Sequence, residues 1–406
     1  MPEAPSNQLR PLSGVRVLDL SQILAGPYCT MILADLGCDV VKIELPPEGD
    51  RARTIGPGQQ GMSAYFASVN RGKRSAVVDW RTAAGAELVR RLAGRTDILV
   101  ENHRPGVLER AGLGPRELLD RSPRLIYASV TGFGHSGPYR DHPALDIIVQ
   151  ALGGMMSLTG EPGGPPLRPG VSQGDSVAGL FAAVAILASL HQRERTGRGQ
   201  WIDLAMLDSQ VTLLENAFAR YFAAGEVPRA TGSAHPALTP FQAFGTADGF
   251  LVVAILQDDA AGWRRLVELL DLPHLAGDPR FADGKLRTQN AGELIPMLGA
   301  AFRKRTTADW IERLSAAGIP CAPVQDVAQA ARNPQVRARG MLVDVGGGRT
   351  VANTPFRFSA ARSGPQGPPP ELGAETGGVL AEWLGMDGDE MRRLAEQNVI
   401  VTRNDA

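Results

Sequence analysis

The stretch VRVLDLSQILAGPYCTMILADLGCDVVKIE, residues 15–44, decides the fold. Its opening run, VRVLDL (15–20), is apolar and rich in β-branched residues, the pattern of a strand buried on both faces. The spacing then predicts a helix over residues 29–36, and DVVKIE (39–44) reads as a second strand. Strand, helix, strand in close succession is a βαβ unit, whose two strands lie parallel because the crossover must return over the sheet. The same rhythm continues outward. SAVVDW (75–80), DILVEN (97–102), RLIYASVTGFG (124–134) and GQWIDLAM (199–206) read as further strands, with a helix over residues 83–92. The expected fold class is α/β, with a Rossmann-like large domain built on a parallel sheet and a smaller α+β domain beside it.

A chain of 406 residues has room for two domains of roughly 100–200 residues each. Residues 144–190 are helical and Gly-rich, and a long helix is expected from about 208 to 224. FQAFGTADGFLVVAI (241–255) reads as a hairpin turning at Asp248-Gly249, followed by amphipathic helices as far as Leu314. GIPCAPV (318–324) leads to the strand-like TVANTPFRF (350–358), and the Pro/Gly-rich ARSGPQGPPPELG (361–373) reads as an extended connector. Helices at 378–384 and 389–397 are expected to pack back onto the first domain. The resulting division is 1–207 for the first part of the large domain, 208–228 for a linker helix, 229–325 for the small domain, and 326–406 for the linker and return.

Composition narrows the function. Hydrophobic residues make up 43% and charged residues 21%, with a formal net charge of −1, so no global field draws in nucleic acid or an anionic membrane surface. An anionic ligand must be held by locally placed Arg, Lys and backbone N–H groups. The opening MPEAPSNQLRPLSG has no apolar core of the kind a signal peptide needs. The run VAGLFAAVAILASL (177–190) is too short to span a bilayer and reads as a buried helix. Cys29, Cys38 and Cys321 have no metal-ligand spacing, and their odd number argues against a disulfide framework. A cytoplasmic enzyme without a metal is the expectation.

Three segments carry candidate chemistry. The first strand ends in a loop running through Gly26-Pro27 into a helix, which aims free N–H groups at one spot. This is either a phosphate site or an ordinary βα turn. No GxGxxG fingerprint follows the strand, and GLGPRE (112–117) lacks the third glycine, so a dinucleotide reading is weak. In ENHRPGVLERAGLG, the residues Asn102, His103, Arg104 and Arg110 follow a buried strand, where an α/β sheet holds its ligands. They suit a nucleotide phosphate and adenine, or else merely cap a surface loop. Lys73 to Ser75 with Arg81 repeat the theme one strand earlier. In RPGVSQGDSVAGLF, Asp175 stands between Gly174 and Ser176 at the head of an apolar helix. It is either an N-cap carboxylate or a carboxylate in a pocket that excludes water, with Gly174 leaving room for a bulky group to approach.

The ordered motifs PLSGVRVLDLSQILAGP, KIE, NRGKRS, ENHRPG, TGFGHSGPY, GDSVAG, TGRGQ, TADGF and GIPCAPV resemble those of the class III CoA-transferases of CaiB/BaiF type, across nearly the whole chain. The succinyl-CoA–dicarboxylate branch is the most similar. The resemblance implies that Asp175 is the nucleophile, passing through an aspartyl anhydride and an aspartyl-CoA thioester. Because a carboxylate is ionised at pH 7, no general base is needed. It implies coenzyme A contacts at Gln22, Ile23, Leu24, Ala25, Arg81, Asn102, His103, Arg104, Arg110, Thr131 and Phe133. It also implies an interlocked homodimer, with the helix at 208–224 and the Pro/Gly connector as linkers. Leu24 and Phe133 stand where the oxalate enzymes carry Gln and Tyr, and their mobile glycine-rich loop has no counterpart here, which argues against oxalate or formate. For the distal carboxylate of a dicarboxylate, Arg168, His235, Gln242 and Arg53 are candidates.

α-Methylacyl-CoA racemases resemble this family and place a His before an Asp. Here PALDIIVQAL puts Leu145 at that position, though His135 and His142 lie nearby. A third reading is a non-catalytic acyl-CoA-binding subunit of a hetero-oligomer, which would be expected to lack the nucleophile.

Overall fold

In the computed structural model, which describes residues 9–59 and 61–402, the chain divides into two compact units. One comprises the chain up to Met155, Arg168–Phe222 and Gln335 onward; the other comprises Met156–Leu167 and Ala223–Pro334. The opening stretch, expected to hold no signal peptide, falls outside the described residues as far as residue 8.

The first unit is built on β1 (Arg16–Asp19), β2 (Asp39–Glu44), β3 (Arg74–Val78), β4 (Ile98–Glu101), β5 (Ile126–Thr131) and β6 (Trp201–Ala205). Adjacent pairs among them are all parallel, as the βαβ rhythm requires. The crossovers include α1 (Ala25–Asp35) and α2 (Ala83–Ala93). Residues 144–190 form α3 (Asp146–Leu152), a 3₁₀ turn at Met155–Leu158 and α4 (Gln173–Thr196). After β6 come α5 (Met206–Leu213) and α6 (Glu215–Ala224), two helices broken at Leu214 where the sequence suggested one.

The second unit contains the expected hairpin, β7 (Phe241–Gly245) against β8 (Phe250–Ala254), and β9 (Cys321–Pro323) pairs antiparallel with β8. Its own core gathers Trp263, Phe281, Phe302 and Trp310. The chain then returns. Of the strand-like 350–358 segment, Thr350–Ala352 forms a strand, paired with Leu342–Asp344. The helices α7 (Thr376–Leu384) and α8 (Gly388–Glu396) lead to β10 (Ile400–Val401), which adds to β3 antiparallel. Strand order in the large sheet is therefore β10-β3-β2-β1-β4-β5-β6. The result is a mixed α/β fold with a parallel-dominated sheet.

Alternation along β1 sends Val17 and Leu18 to opposite faces, each into its own apolar cluster. The cluster on Val17 includes Leu33 of α1 with Ala182 and Ile186 of α4; that on Leu18 includes Leu88 and Val89 of α2 with Trp383 of α7. Helix α4 differs from expectation. It runs 24 residues, long and apolar enough by length and composition to cross a membrane, although one face is buried against α1 and β5. Its other face leaves Leu180 and Val184 exposed, so the helix is half-buried rather than buried. Close packing on α1 depends on Gly179, where a Cβ would sit 2.5 Å from the Ala25 carbonyl oxygen.

Candidate active site

The carboxyl ends of β1, β4 and β5 open onto one cavity of about 380 Å³. The loop after β1 supplies Gln22, Ile23, Leu24 and Ala25; the loop after β4 supplies Asn102, His103 and Arg104; β5 and its loop supply Thr131 and Phe133; and the head of α4 supplies Asp175. Open α/β sheets gather ligands at this edge because the loops that follow the strands converge there. Two residues from the same sequence reading lie elsewhere. The Arg81 side chain is 56% exposed and paired with Asp79 at 2.7 Å, and Arg110, at the end of the turn Val107–Arg110, is not among the cavity-lining residues.

Asp175 is in the first turn of α4 but does not cap it. Capping falls to Asp146 on α3, whose Oδ1 accepts the Gly174 N–H at 2.8 Å. Its Oδ2 accepts from Gln150 at 2.8 Å and from both Nε and Nη2 of Arg168, at 3.1 and 3.0 Å. No protein group donates a hydrogen bond to the Asp175 carboxylate among the described residues. Burial first, and the charge on Asp146 second, push its pKa up to about 7, against the opposing pull of Arg168. The shift favours the protonated form relative to an exposed carboxyl, whereas the sequence reading treated the group as an ordinary ionised carboxylate. Gly174 also serves a different purpose from the one expected. A Cβ there would lie 2.7 Å from Val149 Cγ2 and 2.9 Å from Asp146 Oδ1, so the glycine lets α3 close against the helix head. The phenol of Tyr65 is pushed up to about 12 by burial and by the nearby charges of Asp175 and Asp146, so it stays neutral.

The loop after β1 is fixed from three sides. The Asn102 side chain accepts the Gln22 N–H at 2.9 Å and donates to the Gln22 carbonyl at 2.7 Å. The His103 ring nitrogen Nε2 is 3.0 Å from the Leu20 carbonyl, and Trp80 packs edge-on to the ring. Asn102 and His103 therefore support the cavity wall with the very groups that the sequence suggested for phosphate and adenine. Beneath the loop lie charged residues interspersed in the apolar strands. Lys42 donates to the Ser21 carbonyl at 2.5 Å and pairs with Asp50 at 2.8 Å, while Lys73 pairs with Asp19 at 3.0 Å. Arg74 is engaged by Asp39 and Glu382, Ser75 by Glu44, and Arg53 by Glu44 and the Pro370 carbonyl. The KRS segment and Arg53 are thus structural, where the sequence offered them as ligand contacts.

The CoA-transferase family III profile matches residues 12–376. The chain belongs to that family. It is 37% identical over 404 residues to the succinyl-CoA:glutarate CoA-transferase of Mus musculus, an alignment covering 98% of this chain and 92% of the other. It is 40% identical over 344 residues to the acetyl-CoA:oxalate CoA-transferase of Acetobacter aceti, covering 84% and 88%. A CaiB/BaiF family protein from Brucella suis, solved by crystallography, superposes with a TM-score of 0.85 at 40% identity, covering 93% of this chain and 100% of the other. A family III CoA-transferase is an enzyme, so a purely non-catalytic acyl-CoA-binding subunit is set aside.

This family III site also contains residues that the sequence reading passed over. These are Arg51 and Arg140, which line the cavity together with His142, a residue the sequence reading noted only beside the racemase position. Arg51 and Arg104 have no carboxylate within ion-pair distance among the described residues, so two unpaired cations border the cavity. Arg51 stands outside any strand-end motif, and a signal for it existed only in its place one residue after the buried Asp50. Leu145, the residue that replaces the racemase histidine, precedes Asp146 at the start of α3; it lines the cavity and is 71% exposed. His135 turns away to Trp201 and Glu109, whereas His142 packs against Phe133 and Tyr139 at the rim. Of the candidates for a distal carboxylate, Arg168 is beside Asp146, and His235 accepts the Ala237 N–H in the second unit, where Gln242 lies on β7. No cluster of metal-ligating side chains occurs among the described residues.

Proposed function

We propose that the chain moves coenzyme A from a donor acyl-CoA, with succinyl-CoA the leading candidate, to a C4–C5 dicarboxylic acid through Asp175. The observation that carries this reading is the Asp175 carboxylate, half-buried in the cavity of a family III chain with no protein donor committed to it among the described residues. Its oxygen attacks the thioester carbonyl, giving a mixed anhydride and CoA thiolate. The thiolate attacks the aspartyl carbonyl, giving an aspartyl-CoA thioester and releasing the donor acid. The acceptor carboxylate attacks that thioester, and the expelled thiolate then takes the acceptor acyl group and frees Asp175. A carboxyl with a pKa near 7 is desolvated and weakly hydrogen-bonded, so its ionised form is more nucleophilic than a carboxylate surrounded by donors.

Arg51, Arg104 and Arg140 are suited to the phosphates of coenzyme A, and the loop 22–25 with Thr131 and Phe133 to the thioester end. Apolar side chains left exposed on α3, α4 and α6, among them Ile148, Val184 and Phe222, support the expected homodimer and its interlocking. Three free cysteines, two of them buried, suit a reducing compartment and so a cytoplasmic enzyme.

The test is chemical. Incubation with succinyl-CoA, quenching with hydroxylamine or borohydride, and mass spectrometry should map a single modified residue, Asp175. A turnover-competent sample with no label there would sink the mechanism. Acceptor specificity is read from a panel of glutarate, mesaconate and oxalate; the last is included because a 40% identical relative is named for it. The presence of His142 at the cavity favours one control, deuterium wash-in at the α-carbon, which racemisation requires and CoA transfer does not.

A further inference from the structure

Ile23 has φ +69°, a left-handed conformation that a β-branched side chain strongly disfavours. Such a residue persists where its surroundings over-determine it, and strain of this kind clusters at functional sites. Here the surroundings are identifiable. The Ile23 N–H donates to Asp50 Oδ1 at 2.9 Å, and the same oxygen accepts the Ala52 N–H at 2.9 Å. Lys42 pairs with the other Asp50 oxygen and holds the Ser21 carbonyl two residues before Ile23. Lys42 and Asp50 side chains are 0% and 1% exposed, so neither is a surface pair with freedom to rearrange.

The opposite side of the loop is set by the helix that carries the carboxylate. Gly179 lies one turn beyond Asp175 on α4, on the same face, and its missing Cβ is what admits the Ala25 carbonyl. The strained loop is thus clamped between the Lys42–Asp50 pair and the helix bearing Asp175. We propose that Lys42 and Asp50 are positioning residues for acyl transfer: they hold Ile23 in its left-handed backbone so that residues 22–25 face the Asp175 carboxylate across the cavity. This rests on Asp175 being the acyl carrier. The pair acts through the loop and not on substrate, so it sets the geometry of the reacting thioester without taking part in bond making.

The experiment uses the full-length enzyme with succinyl-CoA as donor, reading kcat, KM and the Asp175 label together. Asp50→Asn should lower kcat at least about tenfold, because small misplacements at a reacting centre are costly, while KM for the donor changes little. Glycine adopts positive φ without strain, so D50N/I23G should recover kcat at least about threefold relative to D50N. A merely structural role for Asp50 predicts no recovery, since the added glycine only loosens the chain. Should D50N not fold, Ile23→Pro decides, because the ring fixes φ near −65°; a folded I23P with undiminished kcat overturns the proposal, and one with kcat lowered at least about tenfold supports it. Wild-type enzyme that turns over without a label on Asp175 overturns the acyl-carrier reading. Wild-type enzyme that labels, beside a D50N that keeps its kcat, overturns the positioning role alone.

Discussion

Asp19 and Asp50, buried under the β1 loop, and Asp175, half-buried at the head of α4, are carboxylates of the same unit, yet they are held in opposite ways. Burial alone would raise every one of them. For Asp19, Lys73 and Lys42 with the hydroxyls of Ser21 and Thr30 more than reverse this, and its carboxyl lies well below the usual carboxylate range. Asp50 is likewise lowered, by Lys42 and by the N–H groups of Ala52 and Ile23. Among the described residues Asp175 has no donor, and the cation that pulls on it, Arg168, pairs with Asp146. A carboxylate enclosed by donors is a structural strut; one left without them keeps its lone pairs for a substrate. The contrast separates scaffold from proposed reagent within a single loop-and-helix junction.

The sharpest way to break the comparison is to remove the reagent. Asp175→Ala should lower transfer at least about 10³-fold with the fold intact, because the other carboxylate lining the cavity, Asp146, is engaged by the Gly174 N–H, Gln150 and Arg168. Circular dichroism together with a coupled transfer assay checks this, and substantial residual turnover would show that Asp175 is not the carrier. Removing a strut should act on stability instead. Lys73→Met leaves Asp19 buried without its 3.0 Å partner, and a loss of about 3–5 kcal/mol in urea unfolding is expected. A loss below about 1 kcal/mol would mean that Lys42 alone suffices.

The third expected effect is on pH dependence. The folded pKa of Asp175, near 7, lies above the ordinary value near 3.9. The native state therefore keeps a proton that the unfolded chain has lost, and this group's contribution, favourable below about pH 4, declines as pH rises toward 7. Asp175→Asn escapes that penalty and should be more stable than wild type by on the order of 1–2 kcal/mol at pH 8, with little difference at pH 4. Equal differences at both pH values would remove the titration argument. The smallest effect is expected from Arg168→Leu. Loss of this cation leaves Asp175 harder to ionise, so the rising limb of kcat/KM against pH should move to higher pH. An unmoved limb would mean that the Asp146 pairing already screens Arg168 out.

Much of the fold was legible in residues 15–44 and in the strands that follow, because apolar periodicity and βαβ rhythm are local properties of the chain. DVVKIE forms β2 from Asp39 to Glu44 as read. The break at Leu214 between α5 and α6 was not legible, since an unbroken apolar pattern conceals where two helices change direction. At the site, Gln22 to Ala25, Asn102 to Arg104, Thr131 and Phe133, which the resemblance singled out, line one cavity. Arg81 is not among the lining residues and bonds to Asp79 two residues away, while Arg51 and Arg140, which no motif announces, do line the cavity.

The sequence by itself determined the sheet, its parallel strands and the family to which the chain belongs, because those follow from short-range pattern and from motif order. Tertiary structure alone decided which charged groups are free. Lys73 and Arg53 look like ligand cations until Asp19 and Glu44 are seen to engage them, and Asp175 looks like a cap until Asp146 is found doing the capping. Electrostatic character depends on what else arrives within a few ångströms and on how much water is excluded, and neither is a property of neighbours along the chain.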